Sequence, residues 1–260
     1  MPNLSARRLA ACLALLAGLA QAATGAEIPI VDAKSQPESL TLAPGGAGTF
    51  FFGLLADPAT GALGECQLTP APDSKPVQRH TAPRGFHLST GANKLRWNPP
   101  GDNSTCNDFS IGRDKALHIT DTANGGIYKL PSGASTAELF LDHRALDGID
   151  GITFLDGTLY GNNVGSSKID RTPVDASGKA KQPVEILLDQ SVKGPDGMPA
   201  ANGKLLLAEN SPGKISVIAV DGDQTTVKVI KEGLKTPTAV DIIRVAKRGA
   251  GKALSIPLPK

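Results

Sequence analysis

The sequence predicts an all-β protein, and within that class a β-propeller of four-stranded blades. Three observations carry this expectation. Gly (29) and Pro (20) together outnumber the 27 Lys and Arg residues; Pro breaks helices and Gly makes tight turns, so short elements are favoured over bundles or coiled coils. Short apolar runs alternate with Gly, Asn and Asp turns across 107–240. One pattern, a polar residue followed by a strand, recurs from Asn107 to Asp150, Asp196 and Thr238, at intervals of 43, 46 and 42 residues. A period of about 40–50 residues with four strands per repeat is the signature of a propeller, whose blades bury their faces only against one another. An irregular β-sandwich accounts for the strands and turns but not for the intervals.

Residues 1–22 read as a secretory signal peptide. Arg7 and Arg8 precede an apolar stretch over 9–19, and Ala20-Gln21-Ala22 supplies a small-residue cleavage site, with a second after Ala26. The stretch is short for a membrane span, and no later segment approaches that length. Most of the apolar run lies after Cys12 rather than before it, which disfavours a lipoprotein. The expected mature chain, 23–260, is a single domain, periplasmic or secreted. The leader carries two Arg and no acid, so it accounts for the net charge of +2. A near-neutral mature chain excludes the basic footprint of a nucleic-acid binder. Aromatics at 4% exclude a base-stacking surface or an aromatic carbohydrate cleft.

The repeats follow in order. A polar position at Glu38 precedes a strand-like segment at 50–55, and 50–98 is the least regular unit, with His80 and His87 flanking Arg84 in an expected loop. The next unit has strands near 107–111, 116–121, 126–130 and 137–141. Asp150 opens the following unit, whose inner strands turn at Asp156-Gly157, with outer strands at 168–174 and 184–188. Asp196 opens another, turning at Asn202-Gly203, with strands at 214–220 and 225–230. Asp-Gly and Asn-Gly accept positive φ at both positions and are strong hairpin signals. A last unit opens at 236–240, and the basic run at 244–252 reads as a solvated terminal segment.

Asn107, Asp150 and Asp196 each stand at the start of an innermost strand, and Glu38 fits the same place in an earlier unit. Such positions converge on one mouth of the central channel. Three carboxylates and an amide are hard oxygen donors that suit Ca²⁺ or a similar ion, although Asp and Asn also favour such places as turn residues. Cys66 and Cys106, an even pair in an exported chain, fit either a disulfide or two buried thiols. No Cys/His cluster of zinc spacing and no Gly-x-Ser-x-Gly elbow occurs.

Cys106-Asn107-Asp108-Phe109, Leu146-Asp147-Gly148-Ile149-Asp150-Gly151, Gly194-Pro195-Asp196-Gly197-Met198 and Pro37-Glu38-Ser39 resemble the motifs of the gluconolactonase/regucalcin family, over most of 28–260 and particularly its exported bacterial members. The resemblance implies a six-bladed propeller with one divalent metal, often calcium, in the channel mouth, hydrolysing sugar lactones or related esters. It implies metal-binding roles for Glu38, Asp150 and Asp196, with Asp196 also the general base, and a substrate- or water-binding role for Asn107. Asp150 stands where the family presents Asn, which makes the site more acidic. The expected protein is a monomer acting on a small lactone or ester. The alternatives are a propeller that binds a ligand or protein without turnover, and a strictosidine-synthase-like propeller.

Six blades of this period need roughly 240–270 residues, so the mature chain is short. There is no room for a complete blade between Glu38 and residue 50, and only half a blade follows Val240. The sequence therefore predicts five blades or an incomplete ring, with fragments from the two ends joining in one closing blade.

Overall fold

A computed structural model describes the strands at 27–29, 41–42, 50–51, 55–57, 62–70 and 79–87, residues 93–241 except 102 and 223, and the strands at 244–247 and 252–255. The expected leader and Glu38 lie outside the described residues. The fold is a β-propeller of antiparallel sheets, in which the described residues form five four-stranded sheets and one two-stranded sheet. Strands β1 (Glu27–Pro29), β2 (Thr41–Leu42) and β3 (Phe50–Phe51) come first, and β2 pairs with β3. β4 (Leu55–Asp57), β5 (Ala62–Pro70), β6 (Arg79–His87) and β7 (Asn93–Arg96) make one sheet. β8 (Cys106–Ile111), β9 (Leu117–Asp121), β10 (Gly126–Leu130) and β11 (Glu138–Asp142) make the next. β12 (Ile149–Leu155), β13 (Thr158–Asn163), β14 (Lys168–Pro173) and β15 (Val184–Glu185) follow. Then come β16 (Ala200–Ala201), β17 (Lys204–Glu209), β18 (Lys214–Asp221) and β19 (Gln224–Lys231). The last sheet holds β20 (Pro237–Asp241), β21 (Arg244–Lys247) and β22 (Lys252–Ser255), and β1 completes it by pairing with β22, Ile28 opposite Ala253. The two ends of the chain thus share one sheet.

Two segments differ from the sequence reading. Within the basic run at 244–252, residues 244–247 form a strand rather than a solvated tail. β21 pairs with β20 and β22 on its two edges, Val245 opposite Val240 and Leu254. The segment around Arg84 is a nine-residue strand rather than a loop. Pro83 and Gly85 mask it in the sequence. β7 pairs with β6 only at Arg84, Gly85 and Phe86, so Pro83 lies where that edge is free of β7 and its missing N–H is tolerated. The buried Arg84 guanidinium donates to the Pro83 and Trp97 carbonyls at 2.8 Å each and to Asn98 Oδ1 at 3.0 Å.

The core lies between sheets, in layers. β17 shows why: Leu205 and Leu207 pack with Tyr160, Ile169 and Met198 on one side, while Leu206 and Ala208 pack with Leu234 and Val240 on the other. Alternation of period two thus buries both faces, as a blade between two neighbours requires. Ile127, Ile149, Ile152 and Leu159 fill the layer between the second and third four-stranded sheets. Trp97, Phe109 and Ile119 fill the layer between the first and second, where Cys66 of β5 and Cys106 of β8 form a disulfide with Cα atoms 5.6 Å apart. The hairpins at Asp156-Gly157 and Asn202-Gly203 hold positive φ at all four residues, the geometry expected of a primed turn.

Neighbouring blades approach closely at their innermost strands. A Cβ at Gly151 would stand 2.7 Å from the Asp196 carbonyl oxygen, and one at Gly197 would stand 2.8 Å from the Thr238 carbonyl oxygen. These are the same position in successive repeats, and each glycine is required by the backbone of the next blade. Gly197→Ala is therefore expected to lower stability by about 1–3 kcal/mol, measured as a shift in the urea midpoint with the slope unchanged. Cys106→Ser is expected to cost about 2–4 kcal/mol. In that variant, added reductant should no longer alter thermal unfolding.

Candidate functional site

The polar residues singled out by the repeat sit on a β-bulge that recurs blade after blade. In β8 the register passes from Cys106 opposite Asp121 to Phe109 opposite Ile119, so Asn107 and Asp108 together oppose Thr120. In β12 it passes from Ile149 opposite Asn163 to Ile152 opposite Gly161, so Asp150 and Gly151 oppose Asn162. In the next blade the Asp196 N–H donates to the Ala208 carbonyl, and the Ala208 N–H returns a bond to the Gly197 carbonyl. Two residues again oppose one. Pro199 cannot donate to the ladder, and the regular inner strand of that blade is reduced to Ala200–Ala201. Bulges of this kind re-aim side chains and are frequent beside functional sites.

The residue opposite each bulge braces it. Thr120 Oγ1 accepts from the Asp108 N–H at 2.8 Å. Asn162, buried, accepts from the Gly151 N–H at 3.2 Å and donates to the Asp196 carbonyl at 2.5 Å, tying two adjacent bulges together. Asn107 donates through Nδ2 to Asp150 Oδ1 across the blade boundary. Asn210 donates to Asp196 Oδ2 at 3.1 Å. Asn107, Asp150 and Asp196 thus lie on three successive blades at one end of the inner strands. Asp150 is buried, and Asn107 and Asp196 are half-buried. The position of Glu38 lies outside the described residues.

Three residues escape a motif-based reading. Asp121, Asn163 and Glu209 end the second strand of their blades and are buried. Each holds the segment that leads into the bulge of its own blade. Asp121 accepts from the Thr105 N–H at 2.8 Å and from Ser104 Oγ at 2.5 Å. Asn163 donates to the Asp147 carbonyl. Glu209 accepts from the Lys193 N–H at 3.0 Å and from Ser216 Oγ at 2.5 Å. Their spacing matches that of Asn107, Asp150 and Asp196 to within one residue, and that shared interval is the signal that reveals them.

Asp108 is a further acid at this end. Its carboxylate accepts from the Ile152 N–H of the next blade and from the Phe109 N–H, each at 2.8 Å. Removal from water pushes this carboxyl up to about 7 against those two donors, and the charge of Asp196 acts in the same upward direction. A cavity of about 480 Å³ adjoins the site, reaching from Asn210 to Lys193, Gly194, Val164 and Ser167. Among the described residues no group of three or more His, Cys, Asp or Glu side chains is gathered closely enough to hold a metal ion. The donors at this end are oxygens of carboxylates and amides, the chemistry of a hard divalent cation. No described helix is long and apolar enough to cross a membrane.

No protein-family model and no curated protein matches the chain. Solved structures do. Virginiamycin B lyase from Staphylococcus aureus is 16% identical, over 91% of this chain and 99% of that one, with a TM-score of 0.59. A gluconolactonase from Xanthomonas campestris is 18% identical, over 76% of this chain and 70% of that one, with a TM-score of 0.58. An auxiliary nutrient binding protein from Bacteroides ovatus is 9% identical, over 86% of this chain and 59% of that one, with a TM-score of 0.58. At these identities the likeness establishes the β-propeller fold.

Asp108 makes stability at this site depend on pH. Its folded pKa of about 7 lies above its ordinary value of 3.8, so between these values the folded state binds the extra proton and loses relative stability as pH rises. His118, lowered by burial from 6.5 to about 4, acts in the opposite direction over that narrower range. The informative quantity is the difference between wild type and Asp108→Asn in chelator-treated protein. The variant should gain relative stability from pH 4 to pH 7 in urea titrations, and a difference independent of pH would contradict the assignment.

Proposed function

We propose that this propeller is a metal-dependent hydrolase of sugar lactones or related esters, of the gluconolactonase/regucalcin type, working at the bulged end of its inner strands. The observation that supports this reading most is the succession of Asn107, Asp150 and Asp196 on three adjacent bulges. Asp150 and Asp196, with Glu38, would hold a divalent cation such as Ca²⁺. When bound, that ion would supply electrophilic polarisation of the substrate carbonyl.

The chain's own residues have distinct tasks. Asp196 is the general base, accepting a proton from the water that attacks the carbonyl carbon. As the ring C–O bond breaks, the same proton passes to the leaving alkoxide, giving a hydroxy acid. Asn210, bonded to one carboxylate oxygen of Asp196, fixes the plane of the base. Asn162 sets the backbone that carries it. Asn107 orients substrate or water. The adjoining cavity beside Asn210 and Lys193 is of a size to take a small cyclic ester.

A second reading, ligand binding without turnover, draws on one observation. The Asp150 carboxylate is engaged by Asn107, so part of the acidic set is occupied by protein. The two readings part in one experiment. Purified protein is offered a panel of small sugar lactones with Ca²⁺ and then with chelator. Hydrolysis that requires the ion and falls by about 10²–10⁴-fold in Asp196→Asn is the expected result. A rise in Tm with Ca²⁺ but no turnover of any lactone would transfer the assignment to a binding protein.

A further inference from the structure

The segment that carries Asp196 carries a cation as well. Lys193-Gly194-Pro195-Asp196 leads into the bulge of its blade and is pinned at each residue. The Lys193 N–H donates to Glu209 Oε2 at 3.0 Å, and the Gly194 N–H donates to Ser167 Oγ at 3.2 Å. The Gly194 carbonyl accepts from the Asn210 N–H, Pro195 bridges to Glu209, and the Asp196 N–H donates to the Ala208 carbonyl. Gly194 sits at a φ of 54°, in the left-handed region that favours glycine, so the chain turns between Lys193 and Asp196. Backbone bonds thus fix the spacing of these two residues, which is the support a preorganised site needs.

The cavity of about 480 Å³ opens onto this segment. Its polar lining is Lys193, Asn210, Ser211 and Ser167, and Val164 adds an apolar patch. Lys193 and Ser211 are exposed, and Asn210 and Ser167 are half-buried, so all four can be reached from solvent. Lys193 makes no ion pair among the described residues. No acidic side chain lines the cavity among them either. Glu209, the acid nearest to Lys193 through its backbone, is buried, and its two oxygens are taken by the Lys193 N–H and by Ser216 Oγ. The cavity therefore presents one cation without a protein counter-charge.

Asn210 joins this cavity to the proposed base. Its Nδ2 donates to Asp196 Oδ2 at 3.1 Å while the same residue lines the cavity. A molecule that presents its ester carbonyl to Asp196 and fills the cavity extends past Asn210 toward Lys193. One amide and two hydroxyls both donate and accept, which suits the hydroxyl groups of a sugar. The ammonium calls for an anion, and a hydrogen bond between two ionised partners is stronger than one between neutral groups. A divalent cation held by Asp150 and Asp196 would add to the attraction for an anion. A neutral lactone leaves Lys193 unused.

We propose that Lys193 is the specificity-determining residue of this site and selects lactones that carry a free carboxylate, the lactones of sugar diacids. The carboxylate pairs with Lys193, ring hydroxyls bond to Asn210 and Ser211, and the lactone carbonyl lies at Asp196. This rests on the hydrolase reading for the fate of the bound molecule: water adds across the ring C–O bond, and the product is the open-chain dicarboxylate.

A matched pair of substrates tests this. Glucaro-1,4-lactone and glucono-1,4-lactone share one ring and differ only at the last carbon, a carboxylate in the first and a hydroxymethyl group in the second. With Ca²⁺ present, kcat/KM should favour glucaro-1,4-lactone by about tenfold or more, mainly through KM. Lys193→Gln, which keeps the backbone bond to Glu209, should bring the ratio close to one, and Lys193→Arg should retain the preference. In the wild type, raising the salt from about 0.05 M to about 0.5 M should shrink the ratio. Equal kcat/KM for the two lactones would overturn the proposal. So would a preference that survives Lys193→Gln, which would assign the carboxylate to the bound ion. If neither lactone is hydrolysed, the hydrolase reading fails, and calorimetric titration with the same pair decides the rest. Tighter binding of glucaro-1,4-lactone that Lys193→Gln removes would uphold the carboxylate site, and equal binding would overturn it.

Discussion

Everything distinctive in this propeller depends on how closely the inner strands of neighbouring blades approach. At Gly151 and Gly197 there is no room even for a methyl group against the carbonyl of the next blade. The strand meets this constraint by bulging, two residues against one, and the bulge turns Asn107, Asp150 and Asp196 toward the same end. Asp108 is the exception that clarifies the rule. Where the later repeats place glycine, it places a carboxylate that reaches across and accepts the Ile152 N–H itself. Packing and polar chemistry are therefore one arrangement: the side chains that carry charge are the ones the bulge must present.

That arrangement is held from behind. Asp121, Asn163 and Glu209 fasten the segments leading into the bulges, while Thr120 and Asn162 brace the bulges themselves. These buried polar groups are satisfied within the fold, so each fixes a backbone segment instead of costing stability. A site built on such rigid supports keeps its carboxylates in place without a ligand, which is the condition for preorganised chemistry. The opposite end of the same blades is built differently. There His118 is buried between the rings of Phe140 and Phe154, and Gly112 packs directly against it.

The period and its turns were legible because they rest on local chemistry. Asp156-Gly157 and Asn202-Gly203 specify their hairpins almost alone, and the intervals from Asn107 to Thr238 reveal the repeat. The chain's short length pointed to end fragments sharing a sheet, and β1 does complete the sheet of β20–β22. What remained hidden was decided by distant partners. The strand at 79–87 carries Pro83 and Gly85 and is defined by pairing with β5. The basic strand at 244–247 looks like a tail until β20 and β22 flank it. The ties at Asp121, Asn163 and Glu209 look like ordinary turn polars until their register is set beside that of the bulges. The roles of Asp108 and His118 depend on burial, which no single sequence states.

The central proposal is that the bulged end holds a divalent cation through Asp150 and Asp196. A crystal structure of the protein grown with Ca²⁺ examines it most directly. The account predicts an ion at the bulged end with carboxylate oxygens of Asp150 and Asp196 among its ligands at the 2.3–2.6 Å typical of calcium. A structure in which Asp150 keeps its bond to Asn107 and no ion is bound between it and Asp196 would contradict it.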